Sequence, residues 1–222
     1  MGMFKYALSL QLLAVFCGAF APTVSRYGGV LPSRRLMMMS SSDVAITDRD
    51  VKVQQVLAFA REIGPIGMLA SEEDQKKLES MSQELVEYSD SNPSQIPLRG
   101  MHDLVYSASQ GSSSGRLGTT PFYGAVQQEF LDDNVTFINF VKLGPLEASL
   151  RATRSIKNDS TNLVKFHQTT IKAFGQTLLE KEIKGGGFWK YLFMGKIVDK
   201  DGTEKFVRIM ETPSLFVLEQ NL

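Results

Sequence analysis

The sequence predicts a mostly β protein of α+β class, an antiparallel up-and-down barrel preceded by two helices. Three observations carry that expectation. From Leu98 onward apolar residues recur with period two, the spacing of half-buried strands. Before Leu98 they recur every three or four residues, the spacing of helices. Turn signals cut the period-two region into short pieces: Gly144-Pro145, Lys157-Asn158-Asp159, Gly175, Gly185 to Gly187, Asp201-Gly202 and Thr212-Pro213. About eight or nine strands result, and a barrel of about eight is just wide enough to hold its own side chains or one small ligand.

In chain order, residues 1–42 come first and contain no aspartate or glutamate. Met1, Lys5 and the apolar run Tyr6 to Phe16 have the layout of a secretory signal peptide, with Cys17, Gly18 and Ala19 preceding a cleavage point at Phe20. That run is too short to span a bilayer. Phe20 to Ser42 carries Arg26, Arg34, Arg35 and five serines, the composition of a plastid transit peptide. A signal peptide followed by a transit peptide that begins Phe-Ala-Pro resembles the bipartite presequence of proteins sent to complex plastids. The expected divisions are a signal peptide at 1–19, a transit peptide at 20–42, helices and linker at 43–97 and a barrel at 98–222. The competing reading is an ordinary secreted protein with a basic tail. Cys17, the only cysteine, would leave with the signal peptide, so no disulfide would staple such a domain.

Lys5, Arg26, Arg34 and Arg35 fall in that leader, so residues 43–222 keep 20 basic and 24 acidic side chains, a net charge of −4. No basic run appears, which speaks against nucleic acid and against strong attachment to an anionic membrane. No later apolar stretch has the length of a transmembrane segment.

Ile46 to Ile63 is expected to be helical, with Val53, Val56, Leu57, Ala60 and Ile63 on one stripe and Gly64-Pro65 as its stop. Ser71 with Asp74 three residues on signals a second N-cap, and Leu78, Met81, Leu85 and Tyr88 form its stripe. Ser89 to Pro97 is rich in serine, asparagine and proline and is expected to be a linker. Among the strands, Phe122, Val126 and Phe130 share a face, and Val135 to Leu143 is apolar on both sides. Leu146, Ala148, Leu150 and Ala152 alternate with Glu147, Ser149, Arg151 and Thr153. Val164 and Phe166, then Leu178 to Ile183, mark two more strands. Trp189, Tyr191, Phe193 and Ile197 are expected to share a face opposite Lys190 and Lys196, and Phe206 to Met210 and Leu215 to Leu218 close the chain.

Three stretches, PLRGMHDLVYSAS (Pro97 to Ser109), FINFVKLGPLEASLRATR (Phe137 to Arg154) and RIMETPSLFVLEQ (Arg208 to Gln220), resemble the plastid lipid-associated proteins, or fibrillins. The resemblance covers about residues 50–222. It implies a lipocalin-like barrel that meets plastid lipids, carotenoids or quinones at thylakoids or plastoglobules, peripherally and without a transmembrane segment. In that family a tryptophan near the start of the first strand closes the barrel floor under an arginine. Here His102 stands at the tryptophan position and Arg208 fits the arginine, so these two are the expected barrel-closing pair.

The candidate ligand site is the aromatic stripe Trp189, Tyr191 and Phe193, completed by Phe137, Leu150 and Phe166 and by a few polar groups to orient the ligand. The competing reading of the same residues is barrel core. His102 and His167 are the only histidines and have no Cys/His/carboxylate cluster beside them, so no metal and no cofactor are expected. Gly111 to Gly118 (GSSSGRLG) lacks the lysine-serine/threonine of a phosphate loop and is expected to be a hairpin loop. No nucleophile is spaced with a base, and no carboxylate with another, so an enzyme is not expected. The expected function is non-enzymatic binding or carriage of a carotenoid, quinone or acyl lipid. The alternative is a structural coat that stabilises lipid globules or photosynthetic membranes and holds nothing inside.

Overall fold

The computed structural model describes residues 46–109, 114–116 and 123–222. The two leader segments expected at 1–42, Phe122 and most of the GSSSGRLG loop lie outside the described residues.

Helix α1 (Asp48–Ile63) begins at a capping box. Thr47 Oγ1 accepts from the Asp50 amide at 3.2 Å, and the Asp50 carboxylate accepts from the Thr47 amide at 2.8 Å. Asp50 also accepts from the Val198 amide at 3.2 Å, while Gln54 Nε2 donates to the Val198 carbonyl at 2.6 Å. The cap thus ties the helix to a strand 148 residues further along the chain. Thr47→Ala is expected to cost about 1 kcal/mol, measured as a lower urea midpoint at unchanged slope. Helix α2 (Glu72–Gln83) starts where Ser71 Oγ accepts from the Asp74 amide at 3.1 Å. Leu85 and Tyr88 lie beyond its end, around a 3₁₀ turn at Val86–Tyr88.

Nine strands follow: β1 (Gly100–Ser107), β2 (Ala125–Phe130), β3 (Thr136–Leu143), β4 (Leu146–Asn158), β5 (Thr161–Ala173), β6 (Gln176–Glu182), β7 (Gly186–Val198), β8 (Glu204–Glu211) and β9 (Leu215–Asn221). Every pairing is antiparallel. The pairings β4–β5 and β1–β9 close eight strands into a ring in the order β1-β2-β3-β4-β5-β7-β8-β9. Strand β6 stands outside the ring. The first half of β5 pairs with β7 and the second half with β6, so β5 and β6 form a hairpin ribbon at the edge of a sheet that continues through β4 and β3.

Two apolar cores lie on the two sides of one wall. Phe130, Phe137, Trp189, Met194, Phe206 and Leu218 pack inside the barrel. On the outer face, Val53, Leu57 and Ala60 of α1 and Leu78 of α2 pack on Val105, Leu192, Val207 and Val217. Strands β8 and β9 are therefore buried on both faces, with Phe206, Arg208 and Met210 inward and Val207 and Ile209 under the helices.

Two expectations need correcting. Ser89 to Pro97 is more than a linker. It carries a 3₁₀ turn at Pro93–Gln95, and Ser94 is buried, donating from its hydroxyl to the Asn158 carbonyl at 2.5 Å and from its amide to the Asp159 carbonyl at 3.0 Å. The Arg154 guanidinium donates to the carbonyls of Ile96 (3.0 Å) and Asn134 (2.9 Å), and Leu98 enters the inner core. The segment seals one end of the barrel, since its polar groups find backbone partners there. Phe193 also does not share a face with Trp189 and Tyr191. The β7–β8 register shifts between Tyr191 and Phe193, a bulge that turns Phe193 and Ile197 outward under the helices and brings Met194 inward.

Candidate functional site

The barrel interior holds a cavity of about 420 Å³. Its walls come from inward positions of successive strands. The cross-strand register aligns His102 of β1, Gln128 of β2, Asn139 of β3, Leu150 of β4 and Thr169 of β5 as one rung, of which Gln128, Asn139, Leu150 and Thr169 line the cavity. The next rung toward the open end carries Val141 and Ala148. At the rim Gly187, Phe188 and Pro213 are exposed to solvent. Gly186 lets β7 cross β5 closely there, because a Cβ at that position would overlap the Val164 carbonyl oxygen.

Aromatic rings form the floor. Phe137 and Trp189 lie 4.6 Å apart between centroids, and Phe130 lies 5.5 Å from Phe137 and 6.2 Å from Trp189. Beneath them sits Arg208, 0% exposed. Its guanidinium stands 4.9 Å from the Phe130 centroid and 5.4 Å from that of Trp189, and its Nη2 donates to Gln128 Oε1 at 2.5 Å. Gln128 in turn donates from Nε2 to Asn139 Oδ1 at 2.7 Å. Arg208 Nε and Nη1 meet no acceptor among the described residues. Burial pulls the Arg208 pKa down to about 10, which leaves it a cation at neutral pH.

His102 is also 0% exposed, edge-on to Phe130 (5.4 Å) and Phe206 (6.1 Å). Burial, and next the positive charge of Arg208, push its pKa down to about 2, against a small upward pull from the Arg99 backbone. Neither ring nitrogen makes a well-formed hydrogen bond among the described residues.

Of the expected lining, Phe137, Leu150, Phe166 and Trp189 do meet on the cavity. Tyr191 faces inward without lining it, and its hydroxyl accepts from Asn162 Nδ2 at 3.1 Å within the closed end. Phe193 lies outside the barrel. His102 and Arg208 both sit at the closed end as expected, and the rings that face the guanidinium are Phe130 and, from the neighbouring strand β7, Trp189. Gln128, Asn139 and Met210 are among the unforeseen lining residues. Gln128 was readable, because it falls on the Val126–Phe130 face of β2, a polar residue in an apolar phase.

The arrangement can bury an apolar molecule and offer it a few polar contacts at the deep end. Among the described residues no group of three or more His, Cys or acidic side chains is placed to hold a metal. The contact of Thr153 Oγ1 with His167 Nε2 at 2.8 Å belongs to the opposite face of β4 from the inward Ala152. No helix of the described residues is long and apolar enough to cross a membrane. No family model, curated protein or solved structure matches the chain.

Proposed function

We propose that the protein is a non-enzymatic binder or carrier of one apolar small molecule, working in a plastid at thylakoid or plastoglobule surfaces. The observation that carries the reading is the cavity. At about 420 Å³ it falls within the roughly 300–1,000 Å³ of small-molecule sites, it is walled mainly by Val141, Leu150, Phe166 and Trp189, and it opens to solvent at one end. Burial of ligand area would supply affinity at about 25 cal/mol per Å². The fibrillin resemblance and the composition of residues 1–42 support the location and the ligand class: a carotenoid, a quinone or an acyl lipid.

Native mass spectrometry of residues 43–222 purified from the plastid tests the proposal. A stoichiometric apolar ligand is expected, and Ala148→Trp, which fills the cavity beside Val141, should abolish its occupancy. An empty protein, or undiminished occupancy in the filled variant, would overturn it.

One observation favours the structural coat instead. The ribbon ends in apolar side chains that face water, Phe174 at 71% and Leu178 at 64% exposure, with Leu179 beside Ile171. Flotation of empty protein with lipid globules, lost in Phe174→Ser/Leu178→Ser, would establish that reading.

A further inference from the structure

The closed end of the barrel gathers positive charge without a counter-charge. Arg208 and Arg154 both approach the Phe130 ring, with guanidinium carbons 4.9 and 5.8 Å from its centroid. Both are buried, and among the described residues neither makes an ion pair. Arg154 spends its donors on backbone carbonyls of Asn134, Ile96 and Ser94. Arg208 has one strong acceptor, Gln128, a weak contact with the Met210 sulfur at 3.9 Å, and two nitrogens, Nε and Nη1, with no acceptor among the described residues. Three of its neighbours, Gln128, Met210 and Trp189, are walls of the cavity, so the cation stands one side chain behind the floor.

A buried charge is strongly disfavoured unless it is paired, and its field reaches further where the surroundings are apolar. The rung above this cation carries the amides of Gln128 and Asn139, the apolar Leu150, and Thr169, whose hydroxyl donates to the Ser149 carbonyl at 3.1 Å. Gln128 gives its oxygen to Arg208 and one amide hydrogen bond to Asn139, which orients the Asn139 amide nitrogen as the donor left for a ligand. A phosphate or sulfate would need more donors than two amides and one guanidinium behind them. A single carboxylate suits that set, and the guanidinium behind the floor supplies the opposite charge through apolar surroundings.

We infer, resting on the carrier reading above, that the cavity takes a long-chain carboxylic acid head first: the carboxylate seats at Gln128 and Asn139 over Arg208, and the chain runs past Leu150 and Phe166 toward the rim. The neutral molecules of comparable length, esters and alcohols, gain the same apolar burial but not the pairing of Arg208. Acid-over-ester preference is the signature of that pairing.

Trp189 is the only tryptophan and lines the cavity, so energy transfer from it to a conjugated-polyene fatty acid reports occupancy. The probes are that acid and its methyl ester, titrated at pH 8 into residues 43–222. The acid is expected to bind at least tenfold tighter than the ester. In Arg208→Met the preference should fall to near one, and Gln128→Leu should reduce it in the same direction if the arginine variant does not fold. Equal binding of acid and ester by the unaltered protein would overturn the inference and leave the carrier reading intact. A preference that survives both variants would also overturn it. Failure of both probes to bind would remove the carrier reading itself and this inference with it.

Discussion

Replacing Trp189 with alanine is expected to lower the unfolding free energy by about 3–5 kcal/mol. The indole does three jobs at once. It packs on Phe137 at 4.6 Å, meets Phe130 edge-on at 6.2 Å, and covers the Arg208 guanidinium at 5.4 Å. Its removal leaves a void between the cavity and the floor, so the transfer term and the void add. It also strips one of two rings from a buried cation that has a single strong acceptor. Trp189→Phe keeps a ring under Arg208 and should recover more than half of the loss. Phe188→Ala, the exposed neighbour on the other face of β7, is the control and should cost about 0.5 kcal/mol. Urea unfolding followed by circular dichroism measures all three. A Trp189→Ala protein within about 1 kcal/mol of the original would mean that the indole is not the keystone of the closed end.

The barrel itself was legible because the antiparallel strands alternate and the turns are punctuated. Leu146 to Thr153 alternates cleanly, and β4 forms there. What the alternation hides is a change of phase. A bulge adds one residue to one strand of a pair, which leaves composition and turn signals untouched and shows only in cross-strand register. Counting by twos from Trp189 therefore put Phe193 in the cavity, although the shift after Tyr191 places it under α1. A second signal in the sequence went unused. Phe206 to Met210 is apolar at positions of both parities, interrupted only by Arg208. A strand buried on both sides needs cover outside the barrel, and the helices supply it. The seal made by Ser94, Ile96 and Arg154 had no readable sign, since it joins residues 58 and 60 positions apart through backbone carbonyls. The partner of Arg208 was misread for a similar reason. Chain position points to His102 on β1, which is two strands from β8 around the ring of pairings, but the indole that meets the cation comes from β7, the strand paired directly with β8, and a second ring, Phe130, comes from β2.

Lowering the pH is expected to destabilise the fold through His102 before the contributions of Asp50, Asp133, Asp199 and Asp201 are lost. In the native state its pKa lies at about 2, against 6.5 for an ordinary histidine. Between those values the unfolded chain binds one proton that the folded chain refuses, so stability falls as pH drops below 6.5. The slope is about 1.4 kcal/mol per pH unit, or about 2 kcal/mol by pH 5. Asp50, Asp133, Asp199 and Asp201 shift the other way, held below their usual 3.8. Their contributions are lost only as pH falls below about 4, so the window from pH 6.5 to 4.5 is left to the histidine. His102→Leu removes the titrating group, fills the space between Phe130 and Phe206 with an apolar side chain, and leaves no imidazole nitrogen without a partner. Its unfolding free energy should stay flat from pH 7.5 to 4.5 in urea titrations, at or above the value of the original protein. An unchanged slope in that variant would assign the acid sensitivity to another group. The expected flattening would assign the acid sensitivity to an imidazole held neutral first by burial and next by the positive charge of Arg208.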